Sequence, residues 1–174
     1  MSRRLIVMRH AKSDWSQDGL RDFERPLNSR GHADAPAMGR CLHEAAYRFD
    51  YVLSSPAQRA RETVLAVCRE TGFSEAEIQW RSEIYLAGHT DLLRALGRVP
   101  PGAQTVLLVG HNPGLEDLVS HLAGRSQLRA FAHNGKLMPT AAVAVLTLPD
   151  DWTDLPPRGA KLELLIGPRS LENL

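Results

Sequence analysis

The sequence predicts an α/β protein: a three-layer sandwich in which helices on both faces cover a mostly parallel central sheet. Short apolar runs of strand type recur near 4–9, 50–54, 104–110, 140–148 and 161–166, with a weaker one near 78–80. Helix-period patterns fall between them, near 30–47, 57–71, 89–98 and 113–124. Regular alternation of this kind is the mark of strands paired side by side with helical crossovers packed on the faces. The run Ala141-Ala142-Val143-Ala144-Val145-Leu146 is apolar on both pleat faces, as a central strand should be.

The elements follow in order. Leu5-Ile6-Val7-Met8 is the first strand, with Arg3 and Arg4 as polar residues at its edge. Its apolar part is too short for a signal peptide and meets Arg9-His10 at once. Residues 15–26 are polar and irregular, a loop near the end of that strand. The first helix contains Pro36, which predicts a kink or a later start, because proline removes an interior hydrogen bond. Tyr51-Val52-Leu53 is the second strand. Ser55-Pro56-Ala57-Gln58 then predicts an N-cap serine, proline at N1 and glutamine at N3. Asn112-Pro113 repeats the cap-then-proline pattern. Leu115, Leu118, Val119 and Leu122 form a core-facing stripe after it, and Gly124 suits a helix stop. Residues 149–157 are a turn-rich excursion between the last two strands. Trp15, Trp80 and Trp152 are read as packing anchors.

Two histidine-bearing turns stand where strands run out, Met8-Arg9-His10-Ala11 and Val109-Gly110-His111-Asn112-Pro113. Ligands of open α/β sheets bind beyond the carboxyl ends of strands. A third strand end carries Ser54-Ser55-Pro56-Ala57-Gln58-Arg59. Arg9 and Arg59 supply planar, permanently charged donor forks, and Arg59 lies in a first helical turn whose dipole favours anions. A phosphoryl group in transfer needs such fixed cations and donors around its oxygens. His10 can attack phosphorus from a neutral ring nitrogen, and His111 can donate to a phosphoryl oxygen. The expected occupant of this pocket is a phosphate or sulfate ion.

These residues resemble the histidine phosphatase superfamily, the phosphoglycerate-mutase-like fold. Arg9-His10-Ala11-Lys12-Ser13, Arg25-Pro26-Leu27-Asn28 with Arg30-Gly31, Gly110-His111-Asn112-Pro113-Gly114-Leu115-Glu116 and Met138-Pro139-Thr140 are similar to its SixA-type phosphohistidine phosphatase branch. The resemblance runs from about residue 4 to residue 168. It implies that His10 is a nucleophile forming a transient phosphohistidine, that Arg9, Arg59 and His111 hold the phosphoryl oxygens, and that water completes the reaction without metal or cofactor. It also implies a phosphohistidine-bearing phosphotransfer protein as substrate. The signature glycine of the superfamily is Ala11 here. Larger relatives carry an acid on an insertion, for which the stretch from Arg59 to Arg94 leaves little room. The one well-placed acid, Glu83, is either a general acid or a surface carboxylate at the sheet edge. A phosphoramidate leaves as imidazole, so it needs less protonation than an ester. The short stretch predicts an open site with no lid.

Composition narrows the alternatives. The chain has 174 residues, expected to form a single domain over 1–174 without a large cap, and its net charge of +1 argues against nucleic-acid and membrane-surface binding. No apolar stretch approaches the ~18 residues of a membrane span. Cys41 and Cys68 form no CxxC and read as reduced thiols, so a cytoplasmic location is expected. His32, His43, His89, His121 and His133 read as structural, and no metal-binding motif includes them. Lys12 either adds positive potential near the site or lies on a solvated loop. Other readings are a phosphomonoesterase acting on a small metabolite, with Glu83 as acid, and a phosphohistidine-binding module without turnover.

Overall fold

A computed structural model describes residues 2–131 and 136–172; His133 lies outside the described residues. Six strands form one sheet: β1 (Arg3–Arg9), β2 (Tyr51–Ser54), β3 (Gln79–Trp80), β4 (Thr105–Gly110), β5 (Val143–Leu148) and β6 (Lys161–Ile166), in the order β3-β2-β4-β1-β5-β6. β3, β2, β4 and β1 run parallel, while β5 and β6 are antiparallel additions on the far side of β1. The sheet is therefore mostly parallel, and helices cover both faces.

Side-chain alternation along the strands builds two cores. Ile6, Met8, Leu107, Val109, Val143 and Val145 point to the face covered by α1 (Ser29–Glu44) and α2 (Gln58–Thr71). Leu5, Val7, Val106, Leu108, Ala144 and Leu146 point to the face covered by α3 (His89–Leu96), α4 (Gly114–Ala123) and α5 (Arg125–Arg129). Both faces of β1 and β4 are buried, which explains their unbroken apolar runs. β1 leads into α1 on one face, and neighbouring β4 leads into α4 on the other. The crevice opened by that divergence is where ligands of such sheets bind.

Several local expectations need correction. α1 starts at Ser29 and runs through Pro36 for 16 residues. Asn28 Oδ1 caps it by accepting from Gly31 N at 2.9 Å. An interior proline costs about 3 kcal/mol, and packing against α2 offsets it: at Gly39 an added Cβ would lie 3.0 Å from Val67 Cα and Glu70 Cβ, so the two helices touch closely. α2 begins at Gln58, and its N-cap position is Ala57 rather than the expected Ser55. Ser55 Oγ accepts from Ala57 N at 3.2 Å and also meets a histidine of the site, so this serine holds the turn before the helix. α4 begins at Gly114, and its entry bond runs from Leu115 N to the His111 carbonyl. The Asn112 side chain is used elsewhere. The strand expected from 140 begins at Val143, because 140–142 form a turn in which Ala141 and Ala142 are buried and Ala141 stands at φ 62°. Trp152 is a true anchor, 2% exposed, with its indole donating to Ala103 O. Trp15 is not, being 72% exposed with the Arg25 guanidinium stacked 3.4 Å over its ring.

Candidate active site

The site is assembled by strand register. Arg9 stands opposite Gly110 in the parallel pairing of β1 with β4, so His10 and His111 leave the sheet side by side. The His10 amide donates to Gly110 O at 3.1 Å, and the Ser55 amide donates to Val109 O at 3.0 Å, which locks three strand ends together. The antiparallel strand closes the other side: Arg9 N donates to Ala142 O, and Ala141 N donates to His10 O. The two imidazole rings are 5.2 Å apart.

Arg59, 3% exposed in the first turn of α2, completes the cluster. Its Nε donates to His10 Nε2 at 3.3 Å. His10 Nδ1 lies 2.7 Å from Ala11 O, an acceptor, so the ring proton belongs on Nδ1 and Nε2 presents a lone pair. Burial, followed by the charges of Arg59, Arg9 and Arg25, holds the His10 pKa down to about 4, against the hydrogen bond to Ala11. Burial, with His10 and Arg59 beside it, likewise lowers His111 to about 3, although Asp22 opposes the shift. Both rings are thus neutral near pH 7. His111 Nε2 lies 2.8 Å from Ser55 Oγ.

Arg9 is positioned by a small network. Its Nη1 donates to Met138 O at 3.1 Å, and Asn112 Nδ2 donates to the same carbonyl at 2.8 Å. Glu116 Oε1 accepts from Asn112 Nδ2 and from Met138 N, tying the network to α4. Arg9 Nε and His111 Nδ1 are buried without a hydrogen-bond partner. A buried polar atom left unpaired costs about 1–3 kcal/mol, and a tetrahedral oxyanion held between these side chains has the acceptor oxygens that a guanidinium donor requires.

Two residues of the site, Asp22 and Tyr85, went unread in the sequence. Asp22 sits in a single 3₁₀ turn, 22–24, inside the 15–26 loop. Its Oδ2 accepts from Arg59 Nη2 at 3.0 Å and from the Tyr85 hydroxyl at 2.6 Å, and its backbone O accepts from Arg59 Nη1 at 2.7 Å. Burial works against this carboxylate, but the bonds from Tyr85, Arg59 and Arg25 outweigh it and hold the pKa well below the usual carboxylate range. Tyr85 also packs edge-on to His111 at 5.4 Å. The available signal was a carboxylate in a loop already assigned to the rim. With these groups over it His10 is only 7% exposed, so the site is more covered than a chain without a lid suggests. Arg25, 8% exposed, links the loop back through Ser13 Oγ and Asp22 Oδ1. Glu83 lies on the surface in the 3₁₀ turn 82–84, where Arg98 Nη1 approaches it at 3.4 Å. Among the described residues no group of three or more His, Cys, Asp or Glu could hold a metal, and no helix is long and apolar enough to cross a membrane.

Two histidines and two arginines gathered beyond adjacent parallel strand ends make a pocket suited to a tetrahedral oxyanion in an α/β protein. The comparisons with known proteins narrow that class. A model of the histidine phosphatase superfamily (branch 1) matches residues 5–85. An uncharacterized chloroplastic protein of Arabidopsis thaliana is 32% identical over 182 residues, 98% of this chain and 80% of its own. Among solved structures, a protein assigned as the phosphohistidine phosphatase SixA of Agrobacterium tumefaciens superposes with a TM-score of 0.81 at 30% identity, covering 96% of this chain and 99% of that one. Its counterpart from Nakamurella multipartitia gives 0.79 at 34% identity, covering 97% of each. The chain belongs to the histidine phosphatase superfamily, and it is a phosphatase.

Proposed function

We propose that this protein removes the phosphoryl group from a phosphohistidine carried on a phosphotransfer protein. The observation that carries the reading is His10 itself. Its Nδ1 proton is committed to Ala11 O, its Nε2 lone pair is free of a proton, and the Arg59 guanidinium lies 3.3 Å from that nitrogen. A neutral, oriented imidazole beside a fixed cation is a nucleophile placed where an anionic electrophile will sit.

In the first step His10 Nε2 forms a bond to phosphorus as the substrate N–P bond breaks. When its second ring nitrogen is protonated, the substrate imidazole departs neutral and takes its electron pair with it. No side-chain acid has to supply a proton. Arg9, Arg59 and His111 hold the phosphoryl oxygens, with Arg59 released from Asp22 to do so. Water then attacks phosphorus, the His10 N–P bond breaks, one water proton passes to solvent, and phosphate leaves. The elements between α2 and α3 are two 3₁₀ turns and the two-residue β3, and the absence of an inserted cap in that stretch supports access by a folded partner. The SixA likeness supports the same substrate class.

The test is a paired assay of one purified sample on a phosphohistidine protein and on an aryl phosphate. A higher kcat/KM on the phosphohistidine is expected. Preference for the ester, with activity lost in Glu83→Gln, would instead establish a phosphomonoesterase.

A further inference from the structure

A cleft of about 360 Å3 adjoins the His10 site and shares Arg9 with it. Its rim carries Arg9, Lys12, Arg30, Lys136 and Arg169, and among the described residues no aspartate or glutamate lines it. The whole chain has a net charge of only +1, so this positive field is local. Arg30 reaches one carboxylate, Asp34, at 3.3 Å, and both groups of that pair are solvent-accessible. Cations crowded around a low-dielectric cleft repel one another and focus potential outward, which favours an anionic occupant. Arg9 Nε is buried at the junction without a partner.

The other wall is apolar, formed by residues such as Phe131, Leu137 and Leu165. A bare inorganic ion would use the cations and leave that wall wet. A peptide segment bearing carboxylate and aliphatic side chains would satisfy both walls. We infer that this cleft docks an acidic segment flanking the phosphohistidine of the protein substrate, and so selects partners by sequence charge. The inference rests on the phosphohistidine reading and names its recognition element.

The probes are two fluorescein-labelled histidine peptides, one flanked by Glu and Leu and one by Ser and Leu, with binding read by anisotropy. Wild-type protein should bind the Glu peptide roughly tenfold more tightly at low salt, and the advantage should shrink as salt screens the cleft. Lys12→Glu/Arg30→Glu should erase the advantage. Both side chains are exposed, so its melting temperature should match the wild type, and Lys12→Ala/Arg30→Ala should give an intermediate effect. Equal binding of the two peptides by the wild type, or an advantage retained in the charge-reversed variant, overturns the inference. So does displacement of the Glu peptide by pyrophosphate at concentrations below the peptide's own Kd, which would make the cleft a small-dianion subsite. Phosphate release from the Glu peptide phosphorylated on histidine is scored separately. Selective binding without release would sink the phosphohistidine reading and leave the cleft's preference for acidic segments intact.

Discussion

Arg59 commits its nitrogens to His10 Nε2 and to the Asp22 backbone and carboxylate. Asp22 thus stands in for an anion on the guanidinium that the proposed mechanism assigns to a phosphoryl oxygen. Asp22→Asn removes the competing charge while keeping the shape, so product phosphate should inhibit the variant more strongly, by several-fold. Unchanged inhibition constants would show that Asp22 does not compete. His10→Ala should remove turnover by at least about a thousandfold, as expected for loss of a covalent nucleophile, while circular dichroism stays native. A folded variant with wild-type rate would dismiss His10 as nucleophile. The imidazoles also set an acid limit on stability. His10 and His111 titrate near 4 and 3 when folded and near 6.5 otherwise, so between those values the unfolded chain binds protons that the folded chain excludes. Their contribution is intact above pH 6.5 and is lost as pH falls toward 4, by up to about 1.4 kcal/mol per pH unit for each ring. Thermal melts without phosphate should hold steady from pH 8 to 7 and decline below 6.5. A flat profile down to pH 4.5 would contradict the burial assigned to these rings.

At the scale of elements, the α4 entry is the tightest joint near the site. Gly114 starts α4 directly after His111-Asn112-Pro113, and a Cβ there would overlap the Ala87 carbonyl oxygen. Gly114→Ala must push the helix start away from 85–88 and carry His111 with it. Overpacking of this kind costs about 1–3 kcal/mol, a loss of several degrees in melting temperature for a chain of this size, and kcat/KM should fall further than stability alone explains. A variant with native melting and native rate would show the joint to be slack. The main strands and helices were legible because each carries a long run or stripe of buried residues. The 3₁₀ turns at 22–24, 75–77 and 82–84, and the short helices α5 and α6 (Pro168–Leu171), were not, since so few residues carry no period. The turn at 140–142 was hidden for the opposite reason. Its Ala141 and Ala142 are buried and as apolar as the residues of a strand.

At the scale of the molecule, stability and function converge on the carboxyl ends of β1, β4 and β2. Glu83 tests how the whole site handles its leaving group. If the imidazole leaves without help, Glu83→Gln should change phosphohistidine hydrolysis by less than about twofold, and only ester hydrolysis should suffer. Equal loss on both substrates would place Glu83 in the chemistry despite its pairing with Arg98. By itself the sequence determined the α/β class, the order of the main elements and the residues His10, Arg59 and His111 at three strand ends, because local hydrophobic period and strand-end position are written residue by residue. Tertiary structure alone decided which strand ends lie side by side, since β1 pairs with β4 and β5 across long stretches of chain. It also decided that Asp22 and Tyr85 close over the pocket, that Met138 and Asn112 hold Arg9, and that five cations share a cleft. Those contacts join residues far apart in sequence, and no local pattern encodes a contact whose two halves are brought together only by packing.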